Sequence, residues 1–189
     1  NVYSDKFTHL LRYKNDSLLI SHKTLNIDNP KLNCRLKGLK NYSPKRIILD
    51  NKLQTKINSY IIKTANKYNT IIFYNQASKS KILDFKKKKI QLIKSKINKQ
   101  GKFDFKTILK KLYKCDCRNL LIEGGDVLTS YLLKNRIFNK FYLYKSPKNL
   151  SKETEYLKFN SLNVLKKNYK KKFNLNLFLG KDKITLYKN

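Results

Sequence analysis

The sequence contains few of the residues that most hydrolytic and metal-binding sites require. Its 189 residues include only two His and three Cys, and this scarcity excludes most metal-hydrolase schemes. Cys115 and Cys117 form a C-x-C pair with no second pair, which is a poor zinc motif. Neither a G-x-S-x-G motif nor a Walker loop occurs. Hydrolytic mechanisms are therefore disfavoured, and no metal site is expected.

Cysteine usage and the lack of long apolar runs indicate where the chain works. An odd number of thiols, Cys34, Cys115 and Cys117, without disulfide spacing predicts a reducing, cytoplasmic compartment. No uninterrupted apolar run reaches the ~20 residues that a membrane-spanning helix needs, so no membrane partner is expected. A chain of 189 residues is most simply one domain with a core of its own.

Acidic residues and arginine are also scarce. Twelve Asp and Glu stand against 44 Lys and Arg, of which five are Arg, and the net charge is +32. Such a charge is typical of nucleic-acid-binding proteins. However, the lysines are spread along the whole chain, and Lys, Asn, Ile, Tyr and Phe have AT-rich codons, so mutational bias accounts for the excess. Nucleic-acid binding remains an alternative that would require lysines gathered on one face.

Short apolar runs predict strands that alternate with helices. Strands are expected at residues 17–21, 46–50, 70–74, 90–93, 119–123 and 141–144. Helical spacing occurs at residues 1–15, 59–67, 105–113 and 127–134. Helices that connect successive strands favour a largely parallel sheet. Two further runs, 173–179 and 184–187, flank a turn-like GKD and predict that the chain closes with an antiparallel hairpin.

Residues 119–133 (NLLIEGGDVLTSYLL) combine a short buried strand, a glycine turn and a helix start. A carboxylate at the end of a buried strand is costly to desolvate without a partner, so Glu123 is expected to face a polar crevice. Gly124 and Gly125 permit positive φ and close backbone approach. The first turn of the following helix leaves N–H groups that can bind an anion. A strand, turn and capped helix without a ligand is the alternative.

Polar residues follow three of the predicted strands. Ligands of parallel sheets bind beyond the carboxyl ends of the strands, so these residues are expected on one rim. They are Glu123, Asp50 with Asn51, and, in the loop after Ser21, Thr24, Asp28, Asn29 and Arg35. The alternative for that loop is an ordinary turn, because N-P is a frequent turn signal.

Arginine retained among so many lysines indicates a need for the planar guanidinium. Its fork binds phosphate through two parallel hydrogen bonds, which lysine cannot do. Arg12 and Arg35 are the best placed for this role. A surface ion pair is the alternative for each.

Four segments occur in the order and spacing of a known family: IDNPKLNCRL (27–36), SPKRIILDN (43–51), NLLIEGGDVLTSYLL (119–133) and FYLYKSPK (141–148). The chain resembles the reductase domain of the bifunctional riboflavin-biosynthesis deaminase/reductase over essentially its whole length. The resemblance implies the α/β fold of dihydrofolate reductase, a three-layer α/β/α arrangement with a mixed, mostly parallel central sheet. It also implies NADPH-dependent reduction of the ribosyl group of 5-amino-6-(5-phosphoribosylamino)uracil to a ribityl chain.

The same resemblance assigns site residues by motif. Those expected to meet the phosphorylated pyrimidine substrate are Arg12, Leu32, Arg35 and Glu123. Those expected to contact the dinucleotide are Thr24, Asp28, Asn51, Gly125, Asp126, Val127, Leu128, Thr129, Ser130 and Tyr131. No general acid or base is singled out. The negative charge of Asp126 lies where a diphosphate would approach, although an acidic residue also suits a helix N-terminus.

Two parts of the family pattern are missing from the sequence. The opening strand, with a K-x-A-x-S-x-D-G-like pattern, and the S-x-W-I-type segment after it are absent, so we expect an N-terminally truncated reductase domain over residues 1–189. The zinc-deaminase half, with its H-x-E and P-C-x-x-C signatures, is absent too. The full-length protein is expected to be fused to it, and a homo-oligomer is possible. A nucleotide-binding domain of the same fold without turnover is a further alternative.

Overall fold

The computed structural model describes residues 1–66, 69–147 and 161–189. The chain divides into two compact units. The parallel-sheet unit comprises Thr8–Gly124, and the antiparallel-sheet unit comprises Asn1–Phe7 together with Gly125–Asn189. Each unit is built on a sheet of its own.

Helices and strands alternate along most of the described chain. The helices are α1 (Val2–Lys14), α2 (His22–Asp28), α3 (Tyr60–Lys63), α4 (Lys79–Lys87), α5 (Phe105–Tyr113), α6 (Asp126–Lys134) and α7 (Ser161–Asn168), with a 3-10 turn at Lys40–Tyr42. The strands are β1 (Ser17–Ser21), β2 (Lys45–Leu49), β3 (Thr70–Tyr74), β4 (Gln91–Lys94), β5 (Leu120–Ile122), β6 (Lys140–Lys145), β7 (Lys172–Asn174) and β8 (Lys183–Lys188).

The sheet of the parallel-sheet unit reverses its winding direction beside β1. Its five parallel strands have the order β4-β3-β2-β1-β5. Strands β1 to β4 step in one direction, whereas β5 pairs with the other side of β1, so that Leu18 lies opposite both Arg46 and Leu121. Ligands of such sheets bind beyond the carboxyl ends of the strands at the reversal. Glu123 follows β5 at this position.

Alternation along the strands divides the apolar side chains of this sheet between its two faces. Leu18, Ile20 and Ile48 pack in one cluster with buried residues of α2, α3 and α4. Leu19 and Ile47 are also fully buried and, by alternation, point to the opposite face. A right-handed crossover from β4 back to β5 puts α5 on that face. The near-continuous apolar strands are therefore those of a sheet covered on both sides.

The antiparallel-sheet unit has three strands in the order β6-β8-β7. Tyr187 of the central strand lies opposite Phe141 on one side and Lys172 on the other. Its core contains Leu133 of α6, Leu165 of α7 and the ring of Tyr187. Tyr169 Oη donates a hydrogen bond to Leu133 O at 2.6 Å, which ties the end of α6 to the segment after α7.

The predicted α/β class, the parallel sheet and the closing antiparallel hairpin are confirmed. Strands β1 and β3 and helix α5 have the predicted bounds. The strand predicted at 141–144 is β6, which joins the antiparallel sheet, so the described residues form two sheets where one mixed sheet was predicted. The expectation of a missing opening strand stays a prediction.

The largest differences from the prediction in extent or burial concern three elements. β5 is only partly buried because it is the last strand of its sheet. β7 ends at Asn174, well short of residue 179. α3 has four residues, and the carbonyl of its C-cap residue, Thr64, accepts a hydrogen bond from the buried guanidinium of Arg46 at 2.9 Å. Residue 67, the predicted end of α3, lies outside the described residues.

None of the helices in the described part of the chain is long and apolar enough to cross a membrane.

Candidate functional site

The carboxylate of Glu123, just beyond β5, is held by Arg12 of α1. Arg12 Nε donates to Glu123 Oε1 and Arg12 Nη2 donates to Glu123 Oε2, both at 2.8 Å. The two side chains are 12% and 28% exposed, respectively. Two parallel charge-assisted bonds of this length are the strong, orientation-specific form of an ion pair. The strand-end carboxylate therefore has the polar surroundings that its position predicted.

The guanidinium of Arg12 also binds the loop of residues 33–35 in the parallel-sheet unit. Arg12 Nη1 donates to Asn33 O at 3.2 Å. One turn earlier on α1, His9 Nδ1 lies 3.1 Å from Asn33 O and 3.3 Å from Arg35 N. The buried thiol of Cys34 donates to His9 O at 3.6 Å. Three consecutive loop residues are thus fixed to one face of α1.

Two predicted substrate contacts, Leu32 and Arg35, lie in or beside this loop. Leu32 is 2% exposed and packs in the core, so the predicted contact can involve only its backbone. Its φ of 50° lies in the left-handed region that non-glycine residues rarely adopt. Arg35 has an exposed side chain, while its backbone N–H is directed at His9.

Thr24 and Asp28 lie on α2, which follows β1. Ser21 caps this helix by accepting a hydrogen bond from Thr24 N at 3.3 Å, and the two hydroxyl oxygens are 3.1 Å apart. The Thr24 hydroxyl therefore already has a protein partner. Asp28 is the last residue of α2 and is exposed.

Asp50 and Asn51, beyond the end of β2, have different roles. Asp50 is fully buried and accepts hydrogen bonds from Gln54 N at 2.8 Å and Thr55 N at 2.7 Å. Its carboxylate is committed to the turn. Asn51 Oδ1 is buried and has no hydrogen-bond partner among the described residues. Because an unpaired buried acceptor costs roughly 1–3 kcal/mol, Asn51 is suited to a ligand that brings a donor.

In the antiparallel-sheet unit, the predicted cofactor-binding segment begins at Gly125, the N-cap residue of α6. Gly125 has φ −68° and ψ 177°, so the positive φ that its glycine would permit is not used. A Cβ built there would meet no described atom within 4 Å. The space beside this backbone is open among the described residues, and the close approach of a ligand stays a prediction.

Asp126 and Ser130 are both engaged by Ser161, the first residue of α7. Asp126 Oδ1 accepts hydrogen bonds from Ser161 N at 3.0 Å and from Ser161 Oγ at 2.5 Å. The hydroxyl oxygens of Ser130 and Ser161 are 2.7 Å apart. A carboxylate at a helix N-terminus is stabilising. The side chains of Asp126 and Ser130 thus have structural partners that a cofactor would have to replace.

The other predicted cofactor contacts on α6 differ in exposure. Val127 is 74% exposed, whereas Thr129 is buried. Leu128 and Tyr131 are half-buried.

The arginine fork is used on protein oxygens. Arg12 grips a carboxylate, although phosphate was the acceptor that the sequence suggested. Arg46, buried, donates to Thr64 Oγ1 at 2.8 Å and to Asn69 Oδ1 at 3.1 Å. Burial lowers the pKa of Arg46 below its usual value. Arg12 and Arg46 thus use several guanidinium nitrogens at once, and the predicted binding of phosphate by Arg12 and Arg35 stays a prediction.

His9 and Asn33 are parts of this arrangement that the sequence did not indicate. The available signal was that His9 and Arg12 are three positions apart on a predicted helix, which places them on one face. Their common partner, Asn33 O, is a backbone atom and leaves no trace in residue type.

Comparison with known proteins decides the family. The family model described as "RibD C-terminal domain" matches residues 3–172. The chain belongs to the RibD C-terminal domain family. Membership of this reductase family implies a nicotinamide cofactor in general.

Curated relatives of the RibD C-terminal domain support this assignment. The chain is 31% identical over 155 residues to "5-amino-6-(5-phosphoribosylamino)uracil reductase" of Buchnera aphidicola subsp. Acyrthosiphon pisum, covering 76% of this chain and 72% of that protein. It is 29% identical over 137 residues to "Riboflavin biosynthesis protein RibD" of Actinobacillus pleuropneumoniae, covering 72% of this chain and 36% of that protein. A second RibD, from Aquifex aeolicus, is covered to 38% of its length. The chain thus spans little more than a third of these longer relatives.

Solved structures share the fold. RibD of Acinetobacter baumannii aligns with a TM-score of 0.76 at 16% identity, over 100% of this chain and 51% of that one. The riboflavin biosynthesis reductase Rib7 of Saccharomyces cerevisiae aligns with a TM-score of 0.72 at 19% identity, over 98% of this chain and 80% of that one. The fold is therefore the dihydrofolate-reductase-like fold of RibD reductase domains.

Proposed function

We propose that this chain reduces the ribosyl group of 5-amino-6-(5-phosphoribosylamino)uracil to a ribityl chain, with NADPH as reductant, as a step of riboflavin biosynthesis. The observation that carries the proposal is the family match over residues 3–172, with a 31% identical relative that bears the name of this reductase. The pair of Arg12 and Glu123 at the winding reversal of the parallel sheet supports it, because that reversal is where such sheets bind ligands.

The substrate-binding role centres on Glu123. When bound, the nicotinamide supplies a hydride to the first carbon of the opened sugar. Glu123 spends one lone pair of each oxygen on Arg12 and retains others that can accept hydrogen bonds from sugar hydroxyls. Arg12 fixes the direction of that carboxylate, and the exposed guanidinium of Arg35 is suited to the substrate phosphate. These residues orient the substrate and hold its polar groups.

The residues expected to bind the cofactor fit it unequally. Asn51 fits, because its buried Oδ1 requires a hydrogen-bond donor and the amide and hydroxyl groups of a dinucleotide provide one. Gly125 fits through its open backbone. The side chains of Asp126 and Ser130 fit poorly, because Ser161 already engages them. The choice of NADPH over NADH rests on the family resemblance.

The test is turnover by the purified chain. Mixed with 5-amino-6-(5-phosphoribosylamino)uracil, the chain is expected to oxidise NADPH, and mass spectrometry of the product should show the gain of two hydrogen atoms. NADH in place of NADPH is expected to react more slowly. NADPH binding without turnover would favour a non-catalytic nucleotide-binding domain. Thermal stabilisation by a short RNA, with none by NADPH, would favour a nucleic-acid-binding protein.

The variant Asn51→Ala tests the cofactor contact by itself. Loss of one buried hydrogen bond is expected to raise the dissociation constant of NADPH about tenfold. The unfolding midpoint should change little, because the free chain loses no hydrogen bond at Oδ1. Unchanged NADPH affinity by fluorescence titration would remove Asn51 from the cofactor site.

We further infer that the chain works with a deaminase domain and in the cytoplasm. The first relatives are RibD proteins more than twice as long as the matched region. The three thiols are free, as a reducing compartment would keep them.

A further inference from the structure

We propose that His9 is a positioning residue that sets the conformation of the loop carrying Arg35, through an Nδ1 atom that acts as a hydrogen-bond acceptor. The inference rests on the proposed function, in which Arg35 meets the substrate. It adds a residue of α1 to which the family resemblance assigns no role.

The geometry places His9 where the loop approaches α1. His9 is 7% exposed, so the hydrogen bonds of its side chain form largely away from water. Nδ1 lies 3.3 Å from Arg35 N and 3.1 Å from Asn33 O. The carbonyl of His9 accepts the thiol of Cys34. Side chain and backbone of one residue thus contact three consecutive loop residues.

The chemistry of the two Nδ1 contacts makes them alternatives. The Arg35 N–H can only donate, and Asn33 O can only accept. Nδ1 therefore accepts a hydrogen bond from the Arg35 N–H when it carries no proton, and donates one to Asn33 O when it carries a proton. Since Arg12 Nη1 already donates to Asn33 O at 3.2 Å, the arrangement with the imidazole proton on Nε2 gives both loop groups a partner. Protonation of Nδ1 would leave the Arg35 N–H without this acceptor.

The loop needs such support because its backbone is unusual. Leu32, immediately before it, has φ 50°, which few residues other than glycine adopt. Arg35 has an exposed side chain, so its position depends on how the backbone beneath it is held. His9 Nδ1 fixes this backbone by accepting the N–H of Arg35, whose guanidinium is proposed to bind the substrate phosphate.

Three variants distinguish the effect of losing the Nδ1 acceptor from the effect of losing the volume of the imidazole ring. His9→Leu removes the acceptor and keeps an apolar side chain. His9→Asn places an amide oxygen close to the position of Nδ1 and should restore the bond. Asn15→Leu is the matched control, because it removes one side-chain hydrogen bond to α1, from Asn15 Nδ2 to Leu11 O at 2.7 Å, away from the loop.

Two measurements read the position of the loop without turnover. In His9→Leu, amide hydrogen exchange at Arg35 is expected to accelerate about tenfold, whereas His9→Asn and Asn15→Leu should stay near wild type. The chain has two histidines, so the nitrogen spectrum of its imidazoles contains two ring systems. The imidazole signals that are lost in His9→Asn belong to His9, and in the wild-type chain they should be those of the Nε2–H tautomer. Unchanged exchange in His9→Leu, or a proton on Nδ1, would overturn the proposal.

Steady-state kinetics connect the loop to the reaction. His9→Leu is expected to raise the substrate KM about tenfold with kcat nearly unchanged, and His9→Asn should restore most of the loss. Equal KM increases in both variants would mean that the acceptor does not matter. If the wild-type chain shows no turnover while the exchange and tautomer results hold, the proposed function fails and the positioning role of His9 stands.

Discussion

Two carboxylates of one short segment, Glu123 and Asp126, belong to different units and are held in different ways. Glu123 is bound by the fork of Arg12, and its side chain remains 28% exposed. Asp126 accepts the backbone N–H and the hydroxyl of Ser161 at the start of α7. The arginine fork donates one hydrogen bond to each oxygen of Glu123 and orients the whole carboxylate, whereas both hydrogen bonds from Ser161 meet Asp126 Oδ1 and fasten that oxygen to the start of α7. We therefore expect Glu123 to act on a ligand and Asp126 to stabilise the fold.

The largest expected effect is that of Glu123→Gln, which keeps the shape and removes the charge. We expect kcat for reduction of the pyrimidine substrate to fall about 100-fold, because the carboxylate is proposed to orient and stabilise the reacting sugar. NADPH affinity should remain near wild type. Stopped-flow turnover and fluorescence titration of NADPH measure the two effects separately.

Arg12→Lys is the control for this result. Lysine preserves the charge but cannot make two parallel bonds to the carboxylate. We therefore expect a smaller loss, about tenfold in kcat/KM. The double variant with Arg12→Lys and Glu123→Gln should have nearly the same kcat/KM as Glu123→Gln alone. Equal losses of turnover and NADPH affinity in Glu123→Gln would contradict the assignment of Glu123 to the substrate.

An effect of intermediate size is expected for Asp126→Ala, and it concerns the stability of the fold. Removing the acceptor at the start of α7 should lower the free energy of unfolding by about 1 kcal/mol and leave kcat unchanged. Ser161→Ala, which removes the hydroxyl donor, is the matched variant, and the two losses should not add because they concern one contact. Urea unfolding measures both. A large gain in NADPH affinity without loss of stability would mean that Asp126 faces the diphosphate.

The strands were predictable because the cause of each is local. Residues 17–21 hold three consecutive apolar residues between two serines, residues 70–74 are a run of β-branched and aromatic residues, and their bounds are those of β1 and β3. The helix α5 was predictable from the spacing of Phe105, Ile108 and Leu112. Helix α3 is shorter than predicted, and Thr64, which follows it, binds Arg46 of β2, a partner that the helical spacing does not reveal.

The contacts of the candidate site could not be predicted from local pattern. Arg12 and Glu123 are 111 positions apart, and Ser161 is 35 positions from Asp126. Neither separation has a periodicity that a sequence reveals. The sequence did indicate that Glu123 needed a polar partner and that a retained arginine needed its fork, but the identification of each as the other's partner required the fold.

The smallest effect extends the comparison to a third carboxylate, Asp182, in the antiparallel-sheet unit. Ser4 Oγ donates to Asp182 Oδ2 at 2.6 Å, and this hydrogen bond holds the pKa of Asp182 below its ordinary value. The folded state therefore binds fewer protons than the unfolded state. The stabilisation is present above the ordinary carboxyl pKa and is lost as the pH falls through the lowered value.

Asp104 supplies the matched comparison in the parallel-sheet unit. Its pKa is also lowered, by the hydroxyl of Thr107. Urea midpoints measured from neutral to acidic pH should fall less steeply in Asp182→Asn and in Asp104→Asn than in wild type, because each variant lacks one depressed carboxyl. An acid limb as steep in both Asn variants as in wild type would show that hydroxyl donors do not stabilise the folded state at these sites.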